Sequence, residues 1–237
     1  MLQVVLALFV AVQDDAEVTA AIAKFKAAMK NPSAAQRVEA LTELSGTPHA
    51  KTVTQIVPYL QSDLPPVRIA AAKALGKFAD QKKVALTALQ NGLSSNAADP
   101  GVLTAILDAM AEIGDASVMP NVQRFFYDKN AAVARRAAAL AGTLPSAGAV
   151  EPLIDVLRRQ EKFIKANSGG TTLAGGDPKT GNGKVVAKPD ENAIQAAEEL
   201  IAEIEKSLAS ITRESLAGSQ QWQTWWNGAK GAFRVQK

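Results

Sequence analysis

The chain has 237 residues, a net charge of +3 and no cysteine, which excludes disulfides, thiolate nucleophiles and cysteine-ligated metal. It is 47% hydrophobic but only 5% aromatic, and its apolar residues are mostly Ala, which loses no rotamer freedom in a helix. The composition therefore favours closely spaced helices over strands, and the mild charge lacks the dense basic stripe of a dedicated nucleic-acid binder.

The first element is the apolar run LQVVLALFVAV, Leu2 to Val12. It is too short to cross a bilayer, which takes about 20 residues, and its length suits the core of a secretory signal. No Lys or Arg precedes it, so a buried first helix is the competing reading of residues 1–13. A signal implies a periplasmic or secreted protein, and a buried helix a cytoplasmic one. Residues 14–31 follow as a capping helix, with Val18, Ile22, Phe25 and Met29 on one face and lysines opposite.

Residues 32–165 carry a repeat. Four related segments begin at Ala35, Pro66, Gly101 and Ala132, and their matched positions Gln36, Val67, Val102 and Val133 are separated by 31, 35 and 31 residues. Self-similarity at such a period indicates a solenoid. Each copy has a second apolar segment, opening at Val53, Val84, Val118 and Val150, with apolar residues at helical spacing. Each unit thus reads as helix, turn, helix. Ser33 and Gln36 form a candidate capping box, and Asp99 and Asn130 are further candidate N-caps. Gly46, Gly76, Gly114 and Gly142 fall near the ends of the first helices, where a residue of positive φ is expected.

The stretches DPGV, PPVRIAAAKALGKFAD and VEPLIDVL resemble the HEAT-repeat family over about Ser33 to Arg159. The resemblance implies an all-α, right-handed α-solenoid of helix–turn–helix repeats with capping helices. It also implies a polar ladder between units, with Arg68, Asp80 and Asp115 at the matching positions. Leu103 and Ala134 replace the Arg in units three and four, so the ladder is incomplete.

Residues 166–190 are dense in Gly, Thr, Asn and Pro and read as a loop insertion. TTL and KVVAK inside it could pair as a short hairpin, with a surface loop as the alternative. A phosphate-binding loop fails here, because Val185 stands where Ser or Thr must follow Gly183-Lys184. Residues 191–237 read as a degenerate fifth repeat and a Trp-bearing cap. Ile194, Ala197, Ile201, Ile204, Leu208 and Ile211 form a stripe spaced 3, 4, 3, 4, 3, suited to packing on the fourth repeat. Glu198, Glu199, Glu203 and Glu205 read as a solvated outer face. Trp222, Trp225 and Trp226 serve as an end cap or an exposed anchor. A W-x-x-WW tail also resembles the C-terminal unit of some exported bacterial HEAT-repeat proteins.

Such solenoids present a concave surface lined by their second helices, and similar proteins bind other proteins there. The expected function is a non-catalytic protein–protein interaction scaffold, acting as a monomer with an unidentified protein partner. The candidate contact residues are Tyr59, Gln123, Arg124, Tyr127, Arg158, Arg159 and Trp225. No catalytic, cofactor or metal site is expected. The one histidine, His49, leaves no Cys–His or zinc-type site, and no G-x-S-x-G elbow occurs. The alternative is a nucleic-acid-binding protein or a DNA glycosylase-type enzyme, which the fold tolerates.

Overall fold

The computed structural model describes residues 2–168 and 190–235, with side chains described from Asp15 onward. The possible hairpin, the Gly183-Lys184 segment and most of the 166–190 insertion lie outside the described residues, as do the side chains of the apolar run Leu2 to Val12. The described residues form eleven α-helices and no strand: α1 (Leu2–Ala28), α2 (Ala34–Leu44), α3 (Ala50–Gln61), α4 (Pro65–Gly76), α5 (Lys82–Ser95), α6 (Pro100–Ile113), α7 (Met119–Val122), α8 (Ala131–Thr143), α9 (Ala147–Asn167), α10 (Glu191–Thr212) and α11 (Gly218–Ala229). The fold is all-α, of the α-solenoid class. The chain forms two compact units, Met1–Asn121 and Val122–Lys237. Among the described residues no helix is long and apolar enough to cross a membrane.

In the first unit, α1 runs from Leu2 through the 13/14 border without a break and packs on α2 and α3. Val18, Phe25 and Met29 are buried, and Ile22 is half-buried. The first helices α2, α4 and α6 pack in series, as do the second helices α3 and α5. The Ala face of α4 explains how this happens. Ala70, Ala71, Ala72 and Ala74 are all buried, and small side chains let the neighbouring helix approach closely. At Gly76 the approach reaches its limit, because an added Cβ would lie 3.0 Å from Ala109 Cα on α6.

This corrects the expectation for the glycines. Of Gly46, Gly76, Gly114 and Gly142, only Gly114 has positive φ, at 75°. Gly76 and Gly142 are glycines because another helix backbone comes too close for a side chain. The ladder is corrected as well. Arg68 donates to Asp99 at 3.0 Å and to Asn96 at 2.6 Å, and Arg37 pairs with Asp63 at 3.0 Å. The acceptors are thus the residues that precede the next first helix, not Asp80 or Asp115. Asp80 is exposed in the turn, and Asp115 caps Ser117 and pairs with Lys82 at 3.4 Å. Asn96 is fully buried and spans the helices, donating to Leu60 and Gly92 carbonyls at 3.0 and 2.9 Å. Leu103 and Ala134 are buried where the arginines would stand.

Two local expectations also fail. Ser33 makes no side-chain cap, and its N–H is taken by Asn31 Oδ1 at 2.9 Å. A capping box forms instead at α3: His49 Nδ1 accepts from Lys51 N, and His49 N donates to Thr52 Oγ1. The single histidine is thereby a structural cap. The second segment of unit three is not one helix. It is a 3₁₀ turn, the short α7 and a second 3₁₀ turn from Gln123 to Tyr127, and this tighter winding buries the adjacent Phe125 and Phe126 together.

In the second unit, α10 packs on both α8 and α9, and α11 packs on α9. The same pairing links α4 to α2 and α3, and α5 to α3. The helix pair α10–α11 therefore occupies the place of a repeat after α8–α9. At Gly142 an added Cβ would lie 3.0 Å from Ser207 Cα, and Ser207 and Ser210 donate to the Ala138 and Gly142 carbonyls at 2.8 and 2.7 Å.

Gly76→Ala is expected to lower unfolding free energy by about 1–3 kcal/mol, the cost of overpacking. Gly228→Ala, where an added Cβ meets nothing within 4 Å, is expected to raise it by up to about 1 kcal/mol through helix propensity. Urea unfolding of the two variants checks the pair; similar effects of the same sign would refute the close-approach explanation.

Candidate functional site

The second unit gathers several candidate residues around one open groove of about 540 Å³. Tyr127 ends the 3₁₀ turn that precedes α8 and is 43% exposed, one of few large hydrophobic side chains so presented. From α9 come Gly148, Glu151, Pro152, Asp155 and Arg158, and from α11 come Gln223 and Trp226. α9 sets the spacing, because its residues 151, 155 and 158 recur at helical intervals on one face.

The polar contacts form a chain. Asp155 accepts from Arg159 Nε at 2.9 Å and lies 3.7 Å from Arg158. Arg158 also donates to Gln223 Oε1, which ties α9 to α11. The Arg159 guanidinium sits 5.0 Å from the centre of the Tyr127 ring, a cation–π arrangement. The Tyr127 hydroxyl lies 3.4 Å from the Pro152 carbonyl oxygen. Burial pushes this hydroxyl above the ordinary tyrosine range, and the nearby Asp155 carboxylate adds to the rise against the pull of Arg159. A raised folded-state value means that the contribution is fully present below the unfolded tyrosine pKa. It is lost as pH climbs through the folded value. Tyr127 is thus a neutral hydrogen-bonding phenol at neutral pH.

The other candidates do not line the groove. Arg124 stacks over Phe125 at 4.7 Å, and Gln123 is half-buried beside Gly148. Tyr59 belongs to the first unit, where it meets Phe25 of α1 edge-on at 5.5 Å. Trp225 is half-exposed and touches Trp222, Trp226 and Phe233 at 5.7 to 6.1 Å. Trp222 and Trp226 are buried, so the end-cap and anchor readings divide among the three rings. Glu151, Gln223 and Trp226 escaped the sequence reading as contact residues. The expectation of a fifth repeat over residues 191–237 already carried the signal, because a repeat there sets α11 beside α9.

The glutamates of α10 are not a simple solvated face. Glu199 pairs with Arg135 and Glu203 with Lys206, and Glu205 accepts from Gly218 N at 2.8 Å. Glu161 of α9 accepts from Ser219 N and Oγ at 2.8 and 2.5 Å. Two carboxylates thus hold the N-terminus of α11, where the helix dipole favours negative charge. This fixes the helix that carries Gln223 and Trp226. Among the described residues no group of three side chains could hold a metal ion.

Trp222 is completely buried and Trp225 is not. Trp222→Ala is therefore expected to cost about 3–5 kcal/mol. Trp225→Ala is expected to cost well under half of that, because the ring still faces water on one side. Thermal or urea unfolding distinguishes them, and equal losses would show that Trp225 is as much a part of the core as Trp222.

Comparison with known proteins supports this architecture. Residues 22–99 match the family model described as HEAT repeats. That stretch spans α2 to α5 and the last seven residues of α1. No curated protein matches the chain significantly. The serial packing of first and second helices and the matched stretch agree: residues 22–99 are similar to HEAT repeats.

Proposed function

We propose that the chain is a non-catalytic scaffold that binds a protein partner through the α9–α11 groove. HEAT repeats commonly mediate such interactions. The observation that carries the reading is Tyr127: a large aromatic held by Arg159 and exposed at the rim of a groove in which Asp155, Arg158 and Gln223 orient one another. Aromatic and Arg side chains in that state contribute most to interface energetics, because little freedom remains to be lost on binding. The nucleic-acid and glycosylase readings need free positive charge on this face. Arg158 and Arg159 share the Asp155 carboxylate, and Arg158 is further held by Gln223 and Arg159 by the Tyr127 ring, so neither guanidinium is presented freely to a phosphate backbone.

The test is affinity capture from native extract with the full chain, the Tyr127→Ala variant and the Lys83→Ala variant as a surface control. The expected result is a partner retained by the wild type and the control and reduced at least about tenfold by Tyr127→Ala, a loss of about 1.4 kcal/mol. Equal retention by all three chains, or nucleic-acid binding that collapses with salt, contradicts the proposal.

A further inference from the structure

We infer that the groove receives a basic side chain, Arg or Lys, projecting from the partner. The inference rests on the reading of this groove as the partner surface. Its first support is charge. Asp155 is committed to Arg158 and Arg159, and Arg158 also to Gln223. Glu151, exposed on the groove wall, has no ion-pair or hydrogen-bond partner among the described residues. The groove lining thus holds two carboxylates, Glu151 and Asp155, against one guanidinium, Arg158, and Glu151 is the one left uncommitted.

The second support is a backbone acceptor. Pro152 has no N–H, so the Gly148 carbonyl one turn earlier lacks its helical hydrogen bond. Gly148, Glu151 and Pro152 line the same wall. A guanidinium or ammonium offers donors to both the carbonyl and the carboxylate.

The third support is the aromatic pair. Tyr127 and Trp226 give the groove apolar walls suited to the stem of a long basic side chain. Tyr127 already carries one guanidinium against its ring. Trp226 presents only a small part of its ring to the groove, and its buried indole N–H has no hydrogen-bond partner among the described residues. One feature opposes a cation: the first turn of α9, at Ala147 and Gly148, also lines the groove, and a helix N-terminus favours an anion. The competing ligand is therefore an acidic side chain, and the experiment includes it.

The full, nitrogen-15-labelled chain is titrated with acetyl-Ala-Ala-Arg-Ala-Ala-amide and with the Lys, Gln and Glu versions, following the Trp indole resonances by NMR. The Arg and Lys peptides are expected to move the Trp226 resonance saturably, with the Gln peptide about tenfold weaker. Glu151→Gln is expected to weaken the Arg peptide about tenfold and leave the Trp222 resonance and the circular dichroism spectrum unchanged. The assignment is overturned if the Glu peptide binds as well as the Arg peptide, if Glu151→Gln changes nothing, or if no peptide moves Trp226. If those failures occur while Tyr127→Ala still loses the captured partner, the groove binds a partner of other chemistry. If Tyr127→Ala also retains the partner, the groove reading itself is wrong.

Discussion

The structure depends on how closely consecutive first helices approach one another. At Gly76 facing Ala109, and at Gly142 facing Ser207, two helix backbones come so near that a single methyl group would reach 3.0 Å from a neighbouring Cα. That proximity compensates for small side chains. A buried Ala methyl removes little surface from water, about 0.8 kcal/mol per carbon, so an Ala-rich core must gain stability from many close dispersion contacts. Wider spacing would leave those contacts unmade, and the small faces of α4 and α8 would hold nothing together.

Within each unit, close packing leaves an end helix pair to be covered, and the chain covers it with its scarce large side chains. Phe25 and Met29 cover the first repeat from α1, while Trp222 and Trp226 are buried in the last helix pair. Polar groups set the register between. The Arg37–Asp63 and Arg68–Asp99 pairs repeat down the first unit, with Asn96 bonded to helices on either side. In the second unit Ser207, Ser210, Glu161 and Glu205 perform that task, and they bring α11 against α9 to form the groove. The groove is a consequence of how the final helix pair is seated.

The repeat was legible in sequence because helical spacing and a period near 31 residues are properties of residue order. What glycines do was not legible, since positive φ and close approach both select glycine; only Gly114 adopts the former. The ladder acceptors were misplaced for a related reason. Asp63 and Asp99 are distant in sequence from Arg37 and Arg68, and the pairing follows from helix stacking. Tyr127, Arg158 and Arg159 were recognisable as outward residues of second segments. Their companions Glu151, Gln223 and Trp226 were not, because the pairing of α9 with α11 crosses the long insertion. Tyr59 looked like the same kind of residue, but it packs against the capping helix.

The central claim is that backbone proximity, with no room for a side chain, holds these helix pairs together. A double-mutant cycle on Gly142→Ala and Ser207→Gly tests it most directly, with unfolding free energy as the readout. The new methyl meets Ser207 Oγ at 2.9 Å and Cβ at 3.1 Å as well as Cα at 3.0 Å, so Ser207→Gly relieves part of the damage of Gly142→Ala. The two substitutions then couple by about 1 kcal/mol or more. Costs that add to within about 0.5 kcal/mol would show that Gly142 and Ser207 do not meet as described, and would contradict the account.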